Sequence, residues 1–190
     1  MRKLEPDIYL AGPDVFFPDA DARLTRLESF CALRGLKGLR PSDGGMSTLV
    51  GSGISQQVMA QMIYRANVEH IQKADAVIAN MSPFRGDFEP DSGTVFEVGM
   101  AIALGKPVAL YLPQGLEDTG SKIRRLCGAE QNGKQDAWHG ALIEDFGLPL
   151  NLMLACPAQF FATPEEALDS VSTSLKNMAK ARSAAGMLRV

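Results

Sequence analysis

Glu97 stands in the middle of "SGTVFEVGMAIALG", a stretch that is otherwise apolar on nearly every side of a helix. Burying an unpaired carboxylate costs on the order of several kcal/mol, so Glu97 needs a partner or a purpose. An internal ion pair or bonds from backbone N–H groups would satisfy it structurally. Its helical neighbours at three and four residues are Gly93, Thr94, Met100 and Ala101, small enough on one side to leave room for a ligand. Val95, Phe96, Val98, Ile102 and Leu104 are expected to pack against a sheet and neighbouring helices. Ser92 reads as the helix N-cap, with Gly93 and Thr94 in the first turn. Asp91 lies just before it, where the helix dipole stabilises an anion by roughly 0.3–1 kcal/mol. An ionised Asp91 suits hydrogen bonds from sugar hydroxyls, although helix-terminus stabilisation alone would also explain it. Two carboxylates converging on one pocket point to glycosyl chemistry, in which a carboxylate attacks an anomeric carbon.

Elements that must position these groups follow from the periodicity. "DIYLAG" (Asp7–Gly12), a weaker "KGLRPS", "DAVIANM", "PVALYL" and "PAQFFA" read as strands, the third and fourth being continuous apolar runs of the kind covered on both faces. Helical spacing runs over Asp19–Arg34, over Gln56–Lys73 with Val58, Met62, Val68 and Ile71 in register, and from Pro164 to about Arg182. Residues 113–135 read as a polar excursion and Asp136–Phe146 as a helix. The alternation predicts an α/β fold: a flavodoxin-like (Rossmann-like) doubly wound parallel sheet with helices on both faces, residues 1–190 forming a single domain. In such sheets ligands bind beyond the carboxyl ends of the strands, where the strand order reverses. The loops there are Gly12–Pro18, Asp43–Ser55 and Asn80–Asp91, which place Gly12, Phe16 and Asn80 among the expected substrate-binding residues. Phe16 offers a ring on which a base can stack.

Composition excludes several classes. The 190 residues are 46% hydrophobic, enough for one full core, and the net charge of −3 supplies no footprint for nucleic acid or an anionic membrane. No segment reaches the roughly 18 apolar residues of a membrane helix, and the N-terminus lacks a signal-type apolar run. Three cysteines, odd in number and without CxxC pairing, fit free thiols in a reducing cytosol. Two distant histidines suggest no metal site. The expectation is a soluble cytoplasmic protein without metal or cofactor.

"IYLAGPDVFFP", "ADAVIANMSPFRGDFEPDSGTVFEVGMAIALGKPV" and "LPLNLM" occur in this order over residues 8 to 153. Together they resemble the nucleoside 2-deoxyribosyltransferase family; the middle block is long and specific. The resemblance implies exchange of the base of a 2′-deoxynucleoside for a free base, with Glu97 as the nucleophile forming a covalent deoxyribosyl-enzyme. It further implies that Tyr9 orients Glu97, that Asp91 holds the sugar, and that Met153 flanks the base. Asn151 would reach the sugar in a neighbouring subunit's pocket. Phe84 and Arg85 are placed to close over the base. The chain departs from the best-known members at Asn67, where an aspartate often stands to protonate the leaving base. An amide orients a base but cannot protonate it, which leaves Asp87, Glu89, Asp91 or water.

Rival readings are an N-glycosidase passing deoxyribose to water, acting on deoxynucleosides or their 5′-monophosphates, and a non-catalytic nucleotide sensor. The glycine-rich "VGSGIS" lacks a basic residue, which favours a nucleoside over a nucleotide. The segment "ALIEDFGLPLNLMLACP" gathers more apolar side chains than one core uses, so the expected assembly is a homo-oligomer built from dimers with shared active sites.

Overall fold

The computed structural model describes residues 5–42, 53–86, 88–131 and 133–187. Strands β1 (Asp7–Ala11), β2 (Lys37–Leu39), β3 (Ala76–Asn80), β4 (Val108–Tyr111) and β5 (Gln159–Phe161) form one sheet, every described pairing parallel, in the order β2-β1-β3-β4-β5. The chain leaves β1 toward β2 on one side and returns to β3 on the other. The order therefore reverses between β1 and β3, and the crevice lies above that pair. Tyr9 is in register with Val77, and Ala11 with Ala79.

Each strand sends alternate side chains to opposite faces. Tyr9, Ala11, Val77, Ala79 and Leu110 meet helices α2 (Gln56–Lys73) and α3 (Ser92–Ala103), where Ile71, Val98 and Ala101 are buried. Ile8, Leu10, Ala76, Ile78 and Ala109 meet α1 (Ala20–Ala32) and α6 (Pro164–Met187), through Leu24, Leu27, Cys31, Leu168 and Val171. Burial of one such large aliphatic side chain contributes about 1.5–3 kcal/mol.

Three local expectations are corrected. Asp91, not Ser92, is the N-cap of α3: its side chain accepts a bond from Thr94 N–H, and Ser92 is already helical. Nor is α3 buried all round. Thr94, Val98 and Ala101 form its buried stripe, whereas Phe96 (52% exposed) and Leu104 point outward. At 100° per residue, Phe96 lies nearly opposite Thr94. Likewise, of the apolar positions expected to be buried on α2, Ile71 is buried but Val58 and Met62 are exposed, one turn apart.

The third correction concerns the segment after β4. The polar excursion contains a helix, α4 (Thr119–Cys127), opened by Asp118 accepting from Ser121 N–H. Residues 136–146 form no helix. The buried Asp136 carboxylate instead accepts the N–H groups of Trp138, His139 and Ala141 at 2.9, 2.7 and 3.0 Å, closing a compact turn. A further short helix, α5 (Leu152–Ala155), precedes β5. Among the described residues no helix is long and apolar enough to cross a membrane.

Candidate active site

Tyr9 is fully buried on the β1 face that looks toward α3, and its hydroxyl donates to Glu97 Oε1 at 2.5 Å. Strand and helix meet here because Val98 and Ala101, flanking Glu97 on its own helix, pack into the same core as Tyr9 and Val77. Burial, opposed by the Tyr9 bond and aided by Asp91 nearby, leaves the Glu97 carboxyl raised from its ordinary value to about 7. Burial and the adjoining carboxylate drive the Tyr9 hydroxyl well above its ordinary range, so it remains a proton-bearing donor. Asp91 Oδ2 accepts from Thr94 N (2.8 Å) and Thr94 Oγ1 (3.0 Å), which fixes the carboxylate at the opening of α3. A Cβ on Gly93 would stand 3.0 Å from the same oxygen. The absence of a side chain there keeps the approach open.

The loops above this pair are braced by a buried polar cluster. Asn80 Nδ2 donates to Asp14 Oδ2 at 2.8 Å, and Asn80 Oδ1 accepts from Ser82 N (3.1 Å) and Ser82 Oγ (2.6 Å). Both ends of the Asn80 amide are thus engaged between the loops that follow β1 and β3. Gly12, with φ 151°, approaches so closely that a Cβ would lie 2.8 Å from Asn80 Cβ. Asp14 did not stand out in the sequence, although its place directly after the Gly-Pro turn marks it as a loop carboxylate. It also meets Arg23 Nη1 at 3.3 Å.

Higher on the same two loops, Phe16 stacks on Phe84 with centroids 5.2 Å apart and planes 21° apart. The Arg85 guanidinium lies 4.8 Å from the Phe84 centroid and 5.2 Å from that of Phe16. Phe16 is 55% exposed, a large ring at the mouth of the crevice.

The remaining expected residues are bonded to partners outside this pair. Asn67, on α2, accepts from Ser42 N–H at 2.6 Å through Oδ1 and so tethers the segment after β2. Asn151 caps α5 through a bond from Met153 N–H, and its Nδ2 donates to Glu144 Oε2 at 2.7 Å. Glu144 Oε1 also accepts from Leu152 N–H, and Met153 is 74% exposed. The short helix packs on α3 through Leu154, but no described hydrogen bond joins Asn151 to Asp91 or Glu97. Glu144, unremarked in the sequence, is what holds Asn151 in place. Asp87 and residues 43–52 of the expected second loop lie outside the described residues. Among the described residues no cluster of histidine, cysteine, aspartate or glutamate could hold a metal.

The arrangement therefore offers one partly buried carboxylate oriented by a phenol, a second carboxylate at a helix start, and an aromatic platform above. Comparison with known proteins gives a consistent setting. The sequence model of the nucleoside 2-deoxyribosyltransferase family matches residues 8–153. The fold superposes on a 2-deoxyribosyltransferase from Leishmania mexicana with a TM-score of 0.69 at 30% identity, covering 88% of this chain and 97% of that one. An uncharacterised protein of Schizosaccharomyces pombe is 30% identical over 112 residues, 58% of this chain and 51% of that protein. A 5-hydroxymethyl-dUMP N-hydrolase of Rattus norvegicus is 32% identical over 79 residues, 41% of this chain and 43% of the hydrolase. The chain spans about half the length of these curated relatives.

Proposed function

The chain belongs to the nucleoside 2-deoxyribosyltransferase family, and on that premise we propose that it exchanges the base of a 2′-deoxynucleoside for a free base by double displacement through Glu97. The observation that carries this reading is the bond from the buried Tyr9 hydroxyl to the partly buried Glu97 carboxylate at the strand-order reversal. Tyr9 holds Oε1, leaving Oε2 to attack C1′ of the sugar. As the Oε2–C1′ bond forms, the C1′–N bond breaks and its electron pair leaves with the base. A nitrogen of the second base then attacks C1′, and the ester bond breaks to regenerate the carboxylate. Asp91, fixed through Oδ2 by Thr94, turns its other oxygen to a sugar hydroxyl. Gly12 and Asn80 shape the loops around the substrate, Phe16 stacks on the base, and Asn67 orients it.

Asn151 and Met153 complete the pocket of an adjacent subunit in a homo-oligomer built from dimers. The exposure of Met153, beside the buried Leu150 and Leu154, supports this. Mixing Glu97→Ala with Asn151→Ala protein after dissociation and reassembly then restores part of the activity, and persistent inactivity in verified hybrids refutes the shared site.

A second reading, hydrolysis of a deoxynucleoside or its 5′-monophosphate, is favoured by similarity to the rat hydrolase. Water would then take the place of the second base at C1′. Incubation of deoxyadenosine with and without a second free base, followed by chromatography, separates the two. Transfer predicts a new nucleoside whose formation requires the second base. Free deoxyribose appearing at the same rate in both incubations would establish the hydrolase instead, and an unconsumed nucleoside would leave only a binding protein.

A further inference from the structure

Cleavage of a glycosidic bond leaves its electron pair on the base nitrogen, so the departing base is an anion until something neutralises it. Of the loop acids, Asp87 lies outside the described residues and Glu89 lines a hollow with Thr119, Lys122 and Asn151; the other described side chains around the crevice provide no evident acid for that task. Glu97 is the proposed nucleophile, and the Tyr9 hydroxyl is committed to it. Asp91 and Asp14 are held as acceptors, by Thr94 in one case and by Asn80 and Arg23 in the other. Asn67 carries an amide, which has no acidic proton to give.

Arg85 is the sole cationic residue on the two loops that join β1 and β3 to the helices that follow them. Arg23, which reaches the same mouth from α1, is neutralised by Asp14 at 3.3 Å and Asp19 at 2.8 Å. The Arg85 guanidinium is recorded instead over the faces of Phe16 and Phe84. Stacking on ring faces leaves its edge N–H donors available to an acceptor in its own plane. Its backbone is also held at φ 56°, the left-handed region that side chains rarely adopt, and among the described residues no other non-glycine does so. The loop is fixed there by the bridge between Pro83 and Pro90 and by the bond from Phe84 N–H to Glu89 O at 3.0 Å. Such strain persists where the surroundings impose it, and it gathers at functional sites.

We propose that Arg85 is a catalytic residue that stabilises the departing base, its guanidinium offsetting the negative charge that develops on the base as the C1′–N bond breaks. Water supplies the proton afterwards. This rests on the proposed Glu97 chemistry and accounts for a chain with an amide at Asn67.

The test compares two leaving groups. The base of 2′-deoxyadenosine departs as an anion. The base of 2′-deoxy-7-methylguanosine is cationic before cleavage, departs neutral and has no negative charge to offset. Arg85→Met keeps the length of the side chain without its charge, and circular dichroism checks its fold. Its kcat should fall about 100-fold on deoxyadenosine, the scale of one lost electrostatic contact to a transition-state charge. On the methylated nucleoside it should fall less than about threefold. Arg85→Lys should lie between wild type and Arg85→Met on deoxyadenosine. Equal losses on both nucleosides from an active wild type would make Arg85 a packing or binding residue and overturn this inference alone, as would no loss on either. A wild type inert toward both would overturn the parent reading and this one with it.

Discussion

On β1, Ile8 and Leu10 turn toward α1 and α6, whereas Tyr9 and Ala11, each one residue away, turn toward α2 and α3. The first face is closed by aliphatic packing, with α1 clamped to α6 at its rim by the bidentate Arg34–Asp169 pair at 2.7 and 3.1 Å. The second sets a buried phenol against a partly buried carboxylate, and its helices turn Val58, Met62, Tyr64 and Phe96 outward. On the proposed function, the same strands serve stability on one side and chemistry on the other. Strand alternation lets both be set independently within five residues of sequence.

The sharpest way to break this division is to remove chemistry without touching packing. Glu97→Ala should lose at least about 10³-fold in rate, roughly 4 kcal/mol of transition-state stabilisation, while remaining folded. A variant keeping more than a tenth of wild-type turnover would refute Glu97 as nucleophile. The converse change sits on the other face. Leu168→Ala, at a fully buried position, should cost about 3 kcal/mol and lower Tm by about 6–12 °C, with kcat at 25 °C unchanged. A matching loss of kcat would show that the two faces are coupled.

Smaller effects probe the Tyr9–Glu97 bond. Tyr9→Phe should slow turnover about 10- to 100-fold, the value of one hydrogen bond to a charged group. Wild-type kcat/KM should rise with pH through about 7 as Glu97 ionises, and without the Tyr9 bond that rise should move to higher pH. An unshifted profile would mean that the bond does not govern Glu97. Smallest is an effect on stability. The Glu97 carboxyl is raised in the folded state, so the neutral form supports stability fully below the ordinary carboxylate value of 4.5, and this is lost as pH rises through about 7. Glu97→Gln should therefore stabilise the inactive protein by about 2 kcal/mol at pH 8 and hardly at all at pH 4. Identical gains at both values would refute buried ionisation as the cause.

The legible parts of the sequence were those where local pattern and final burial agree. Five strands and their order followed from apolar runs such as "AVIAN", every residue of which is buried. Glu97 stood out because it interrupts an apolar helix and Asp91 because it precedes that helix; the structure sets the Tyr9 hydroxyl on the first and Thr94 on the second. The segment from Trp138 to Phe146 misled because Trp138, Leu142 and Phe146 recur every four residues, the spacing of an amphipathic helix, yet all three are exposed. Asp136 has already taken the N–H groups that such a helix would have used. Helix α4 went unread because its apolar stripe is only Ile123, Leu126 and Cys127, one turn long and set in a polar, glycine-bearing stretch, although Asp118 three residues before Ser121 is a capping signal. Asp14 acts through Asn80, 66 residues away, and Glu144 through Asn151 and Leu152 across a non-helical turn, neither of which a spacing rule connects.

Gly12 sets a limit of another kind. A single methyl group there would have to displace Asn80, whose amide ties Asp14 to Ser82, so the disturbance would spread through both loops above Glu97. Random mutagenesis aimed at a new base preference therefore has an uneven landscape to explore. The exposed ring of Phe16 leaves room for exchange of size and shape, whereas at Gly12, on the same loop, a Cβ would already stand 2.8 Å from Asn80 Cβ.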